Sequence, residues 1–298
     1  MGLDTSSIML LCAAKSMNVN FESTATIGRQ ALWPDYEMLQ RVFAIHGIDR
    51  DAEAFLEQHQ YGEEFLHVLG AKRVDSVDVS SYENATILHD MNLPIPSELK
   101  ERFTLVHDGG SLEHVFNAPQ AFKNCMEMVR VGGHFTQVNI ANNFAGHGFW
   151  QFSPELIFRL FSTQNGFQLQ AVLMHENIPG GAWYVVTDPD RVQRRVELRN
   201  SEPTYILTIA KRIARVPIFE KTPQQSDYVA LWDGAPRQSS ATPGRSWKRR
   251  VPKRVKRVLK SILHYIQPFE APGIKGFNRP GYRRVSEQEL LRGRIPFQ

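Results

Sequence analysis

Short apolar, β-branched runs alternate with amphipathic stretches of helical spacing from Ser23 to Ala214, and this alternation limits what the chain can become. Ser23–Ile27 reads as a buried strand that stops at Gly28. Two helical stretches follow, residues 34–46 with Tyr36, Leu39, Val42 and Phe43 on one side, then residues 51–69 with Phe55, Leu56, Phe65, Leu66, Val68 and Leu69. Gly70 fits a helix C-cap, and residues 74–79 return to strand spacing. Further strands are predicted at 103–107, 134–138, 168–174, 182–187 and 205–214. Helices are predicted at 119–129 and 154–164, with a turn at Gly132-Gly133 and helical or irregular chain at 192–199. Strand and helix in alternation means a mostly parallel sheet covered on both faces, so the expected class is α/β, Rossmann-like and doubly wound. The 47 positions between Gly28 and Asp75 exceed one crossover helix and predict extra helical cover.

Charge divides the chain in two. Of its 298 residues, those up to Asp233 hold 19 basic and 28 acidic side chains, whereas Gly234 to Gln298 holds 16 basic and 3 acidic. This pattern excludes a uniformly cationic binder, and the apolar content of the body excludes a disordered chain. The apolar run Ile8–Ala14 lacks a basic leader and has Asp4 before it, so it reads as a buried helix rather than a signal segment. Cys12 and Cys125 alone offer no disulfide framework, and no run approaches the length of a bilayer span. A reduced, cytoplasmic setting is the expectation. The expected organisation is an α/β body at 1–220, a Pro/Gln/Ser/Gly-rich linker at 221–246, and a basic C-terminal helical appendage at 247–298.

In an open parallel sheet the ligand sits beyond the carboxyl ends of the strands, so the loops there carry the chemistry. They read Gly28-Arg29-Gln30, Asp78 with Ser80-Ser81-Tyr82-Glu83, His89-Asp90-Met91-Asn92, and Asp108-Gly109-Gly110-Ser111-Leu112-Glu113-His114-Val115. This pattern resembles the class I S-adenosylmethionine-dependent methyltransferases over roughly 23–174. Its most specific part is 103–133, with the Leu-Glu-His-Val loop and the Gly-Gly turn. The resemblance implies S-adenosyl-L-methionine as cofactor. It places Asp78 on the ribose hydroxyls, where a carboxylate can accept two hydrogen bonds. It places Asp90 near the adenine amine and Met91 against the ring, with Gly28, Asp108 and Gly109 lining the cofactor site. The first motif departs from the family's glycine-rich loop, because Gly28 is its one glycine and Arg29 follows. Arg29 either meets the cofactor's carboxylate or crowds the pocket, leaving a methyltransferase-like binding or scaffold protein without the chemistry.

After the fourth strand, residues 142–154 would form a lid over the acceptor. Asn142, Asn143 and Trp150 are the expected substrate contacts, with Phe149 and Phe152 as further flat apolar faces. A small polar acceptor suits them, such as a sugar or glycan hydroxyl. His114 and His147 are the candidate general bases, since a neutral imidazole takes a hydroxyl proton near neutral pH. His46, His59, His67 and His175 lack ligand spacing, and the sequence suggests no metal site.

Residues 245–260 hold nine Lys or Arg and no acid, and Val251, Val255, Val258, Leu259, Ile262, Leu263 and Ile266 share one helical face. A basic amphipathic helix over 247–266 suits an anionic membrane surface, which would make the protein peripheral at an inner membrane face. Packing on the acidic body is the other reading. Nucleic acid is the less favoured partner, because the apolar stripe is superfluous to phosphate binding and no Asn-Pro-Pro-Tyr-like or Asp-Pro-Pro-Tyr-like motif follows the fourth strand.

Overall fold

A computed structural model describes residues 2–192, 195–198, 200–232 and 281–295. The chain order opens with β1 (Gly2–Leu3), α1 (Thr5–Ser16), β2 (Ser23–Ile27), β3 (Ala31–Leu32), α2 (Tyr36–Ile45), α3 (Ala52–Gln58) and α4 (Glu63–Val68). Next come β4 (Arg73–Asp78), β5 (Ile87–Leu88), β6 (Phe103–Gly109), α5 (Ala118–Met128), β7 (Val129–Asn142) and α6 (Pro154–Leu160). The order then runs β8 (Phe167–Glu176), β9 (Trp183–Val186), α7 (Pro189–Val192), β10 (Thr204–Arg212) and α8 (Ser226–Trp232). It closes with β11 (Tyr282–Val285) and α9 (Glu287–Leu291).

Among the described residues nine strands make the main sheet, in the order β11-β9-β8-β10-β7-β6-β2-β4-β5. The run from β7 to β5 is parallel throughout, and β10, β8, β9 and β11 join by antiparallel pairing. Two apolar layers cover it. Leu105, Val138, Leu173, Leu207 and Ile209 face α1, α2, α3, α4 and α9, while Val106, Phe135, Val172, Ile206 and Ala210 face α5 and α6. Adjacent residues of one strand thus enter opposite cores, as period-two geometry requires. The sheet is Rossmann-like and doubly wound, as the alternation implied. From β2 the chain winds outward to β4 and β5, then returns across to β6 and β7, so the direction reverses between β2 and β6.

Local sequence explains most boundaries. Asp4, Asp35 and Asp51 each accept an N–H from the first turn of the helix that follows, satisfying donors that have no partner within the helix. Ser153 does the same for α6, whose first position is Pro154. The predicted helix over 51–69 is instead two helices. The chain breaks at 59–62 because Tyr61 bridges to Ala31 and Gly62 donates to the Gln30 carbonyl at 2.9 Å. Strand β7 spans the expected Gly132-Gly133 turn as an irregularity: Phe103 pairs with Val129 but Leu105 with His134, so the chain bulges at 130–133, where Gly132 has φ +85°. A Cβ on Gly133 would press on the Thr104 carbonyl at 2.8 Å and the Arg130 carbonyl at 3.0 Å, so the glycines serve both the local turn and its close approach to β6.

The organisation at the C-terminus also differs from the sequence reading. Residues 226–232 of the expected linker are helix α8. Residues 282–291 of the expected appendage belong to the body. There β11 pairs with β9, and Leu290 and Leu291 of α9 lie buried against α1. A capping box, Ser286 with Glu289, starts α9. The basic stripe at 247–266 lies outside the described residues. Among those described, no helix is long and apolar enough to cross a membrane, and Cys12 and Cys125 are free and buried.

One core group makes the fold sensitive to acid. His107 in β6 is fully buried, with Nδ1 2.9 Å from the Thr136 hydroxyl, and burial pushes its pKa down to about 3. The native ring stays neutral while the unfolded ring protonates below pH 6.5, so this contribution is intact above that pH and lost as pH falls toward 3. The variant His107→Gln is expected to flatten the stability slope between pH 6.5 and 4 by up to about 1.4 kcal/mol per pH unit, read from denaturant midpoints across that range. An unchanged slope would refute the assignment.

Candidate active site

The reversal between β2 and β6 sets a switch point at the carboxyl ends of the strands, where the crevice of an open α/β sheet holds its ligand. In register, Ile27 of β2 lies beside Asp108 of β6, and Asp108 lies beside Gln137 of β7. Gly28 turns the chain there with φ +71°, and its N–H donates to the Val77 carbonyl at 2.7 Å. Gly110 does the same after β6 with φ +86°.

Behind this edge sit two buried carboxyl groups and one amide. The Asn139 side-chain nitrogen donates to Asp108 Oδ2 at 2.7 Å and to Glu113 Oε2 at 2.6 Å. Asp108 also accepts the Ser111 N–H at 2.9 Å, closing the turn after β6. Burial raises the pKa of both acids above the ordinary carboxylate range, and the Asp108 charge raises Glu113 further. Two acids this dry, one repelling the other, each hold their proton more tightly than an exposed carboxyl does.

Gln30 fills the crevice itself. Its amide nitrogen donates to the Ile27 carbonyl, the Ser111 hydroxyl donates to that same carbonyl, and Gln30 Oε1 is buried without a hydrogen-bond partner. A Cβ on Gly109 would overlap that amide oxygen and stand 3.4 Å from the Gly2 carbonyl. The short parallel pair of β1 with β3 therefore closes over the same edge.

The sequence-predicted cofactor residues lie at the end of β4 and in the loops after β2 and β5. Asp78 ends β4, and its Oδ1 accepts the Ser80 N–H at 3.0 Å while Oδ2 has no partner among the described residues. Asp90 caps its own turn, accepting from the Asn92 N–H at 2.9 Å and the Asn92 side chain at 2.8 Å, which lowers its pKa. Met91 is buried in the core beneath, and Asn124 holds its carbonyl at 3.1 Å. Arg29 is fully engaged. Its Nε donates to Glu63 at 2.6 Å, its Nη1 to the Glu83 carbonyl at 3.0 Å, and the guanidinium stacks 3.9 Å over Tyr61. Arg29 thus joins the loops after β2 and β4.

The loop after β7 is stapled to the turn after β6. The Glu113 carbonyl accepts N–H groups from Phe149 at 2.8 Å and Trp150 at 3.2 Å, and Trp150 Nε1 donates to the Val115 carbonyl at 3.0 Å. A Cβ on Gly148, at φ +70°, would press on the Glu113 carbonyl oxygen at 2.8 Å, so only glycine gives this approach. His147 is thereby set beside His114, with ring centroids 5.0 Å apart. The predicted substrate contacts divide. Trp150 stands at the surface near the exposed Phe149 and Phe116, which meet edge to face at 5.7 Å. Asn142 and Asn143 instead turn their side-chain donors to Asn200 and Glu202, anchoring the base of the loop.

Gln30 and Asn139 escaped sequence reading. A polar residue two places after the only glycine of the first loop was the available signal for Gln30. Asn139, inside the apolar run of β7, gave no such signal because its partners are distant in sequence.

No protein-family model matches the chain, and no curated protein matches it. Among solved structures it is similar to TehB from Haemophilus influenzae, at 13% identity and a TM-score of 0.37, over 67% of this chain and 61% of that one. It is similar to the 1,6-didemethyltoxoflavin-N1-methyltransferase of Burkholderia thailandensis, solved with 1,6-didemethyltoxoflavin and S-adenosylhomocysteine, at 12% identity and a TM-score of 0.34, over 70% and 79%. A third is an S-adenosylmethionine-dependent methyltransferase from Mesorhizobium loti, at 16% identity and a TM-score of 0.31, over 65% and 92%. Similarity at this level assigns neither fold nor activity, and the fold rests on the strand order.

The contact between Gly109 and Gln30 is open to a double-mutant cycle. Gly109→Ala alone is expected to cost about 1–3 kcal/mol by overpacking. In a Gln30→Ala background the same change should cost under about 0.5 kcal/mol, because the obstructing amide is gone. Equal costs in the two backgrounds, measured by chemical denaturation, would show that Gln30 does not fill the crevice.

Proposed function

We propose that the chain transfers a methyl group from S-adenosyl-L-methionine to a small polar acceptor, with a sugar or glycan hydroxyl as the substrate class. The carrying observation is the pairing, at one switch-point crevice, of a diol-binding carboxylate with an orphaned acceptor. Asp78 Oδ2 is available beyond β4, and Gln30 Oε1 is buried and unpartnered beyond β2. The first suits vicinal hydroxyls and the second an ammonium group, so the donor set fits the two ends of that cofactor. Asp78 would hold the ribose, and Gln30 with Gly28 and Gly109 would line the amino-acid end. When bound, the cofactor supplies an electrophilic methyl group on a sulfonium.

The chain's own residues then have mainly to position. Trp150, Phe149 and Phe116 offer flat faces for the apolar side of a sugar ring, and the Glu113 carbonyl fixes the loop that carries two of them. His114 and His147 lie side by side, with ring centroids 5.0 Å apart, and a neutral imidazole of this pair would take the proton of an acceptor hydroxyl. Burial and the neighbouring His147 lower the pKa of His114, which favours that neutral form.

A second reading, a methyltransferase-like binding or scaffold protein, draws on the Gln30 side chain in the crevice and on Arg29 tied across the loops. Calorimetry with S-adenosylhomocysteine separates the two. Methyl transfer predicts saturable binding, weakened at least about tenfold by Asp78→Ala, the loss of a hydrogen bond to a charged group. Absence of heat at millimolar ligand, in both the wild type and Gln30→Ala, would sink the enzyme reading and leave the scaffold.

The basic stripe at 247–266 supports a further element of this proposal, docking on an anionic membrane surface that would present a lipid-linked acceptor. Reversing Lys253, Arg254, Lys256 and Arg257 to Glu is expected to abolish co-flotation with vesicles rich in anionic lipid. Unchanged flotation would exclude membrane docking by this stripe.

A further inference from the structure

We propose that Glu113, His114 and His147 form a binding site for one first-row divalent cation of the zinc type. One ligand atom from each, a carboxylate oxygen and two imidazole nitrogens, lies within 4.8 Å of the other two. Ligands about 2.1 Å from a tetrahedral zinc ion stand roughly 3.4 Å apart, so small rotations of the side chains complete the contact. Both histidines are exposed and free to make them, whereas Glu113 is buried and held by Asn139.

Three independent features show that the group is built rather than incidental. Neither imidazole makes a hydrogen bond among the described residues, so their ring nitrogens are uncommitted. Glu113 is oriented by Asn139 at 2.6 Å, the kind of outer contact that fixes a ligating carboxylate. The main chain of the His147 loop is bonded to the Glu113 carbonyl through Phe149 and Trp150, and Gly148 permits that approach. His147, 33 positions beyond His114, is thus brought to it by backbone contacts that involve no histidine.

The ligand types select the ion. Two imidazoles with one carboxylate and no thiolate suit zinc, iron, cobalt or nickel in preference to magnesium or calcium, which take oxygen ligands. Three protein ligands leave a coordination position for water or an acceptor oxygen. A cation there would lower the pKa of a bound hydroxyl, a use that rests on the methyl-transfer reading; the site itself does not. With the cation present, the two imidazoles act as ligands.

The test uses the full chain stripped with a chelator and titrated with Co2+, followed by its visible absorption, and with Zn2+ by calorimetry. One equivalent is expected to bind, with a tetrahedral cobalt spectrum. His147→Ala and His114→Ala should each weaken binding at least tenfold while keeping a native circular dichroism spectrum, since both side chains are exposed. His89→Ala, at a half-buried histidine elsewhere, should bind as the wild type does. No saturable binding in the wild type, or wild-type affinity in both His114→Ala and His147→Ala, would overturn the site. Cation uptake without S-adenosylhomocysteine binding would uphold the site and remove its proposed use, so the two readings fail separately.

Discussion

One amide nitrogen, on Asn139, holds together the part of the molecule where chemistry is possible. It lies between two carboxyl groups that are both buried, Asp108 and Glu113. A buried carboxyl without a donor costs several kcal/mol, so the fold must either neutralise these groups or bond them, and it does both. The raised pKa values favour a proton on the pair, and the amide fixes where the two oxygens stand. Asp108 then closes the turn after β6, and Glu113 offers its carbonyl to the loop after β7. The juxtaposition of His114 with His147 follows from that carbonyl, two steps removed from the amide.

The same edge of the sheet carries an opposed demand. A ligand crevice must stay accessible, yet strand ends left bare expose unpaired backbone groups. Here the Ile27 carbonyl accepts from both Gln30 and Ser111, and β1 lies over the gap. Gln30 Oε1 nevertheless remains buried and unbonded, a cost of about 1–3 kcal/mol that an apolar residue of similar volume would avoid. A group carrying a donor into that position would recover it. The crevice is thus filled by a side chain whose own bonding is incomplete, which is the arrangement a displaceable plug would have.

Legibility from sequence followed the range of the interactions. The strand at 23–27 and the helices at 36–45 and 118–128 were readable because periodicity and capping are local, as the Asp35 cap shows. The break at 59–62 was not, because it answers to Ala31 and Gln30, some 30 positions earlier. Strand β5 and strand β1, two residues each, fall below any periodic signal. In the candidate site, Asp78 was visible from its place at a strand end, and His114 and His147 as lone titratable groups in loops. Their proximity was not visible. Spacing of 33 positions carries no metal signature, and the rings meet through the backbone bonds of Phe149 and Trp150 to the Glu113 carbonyl, which Gly148 permits.

Charge asymmetry acquires a different meaning once β11 is placed. The sequence suggests an acidic body with a free basic tail, but the chain returns to the sheet at Tyr282 and packs α9 on α1. Residues 233–280 are therefore joined to the body at both ends. Closing a segment of that length costs about 3.5 kcal/mol beyond a constant. Burial of Tyr282, Val285, Leu290 and Leu291, at roughly 1.5–3 kcal/mol for each fully buried side chain, more than offsets it. The sequence places its strongest positive charge in this doubly anchored segment.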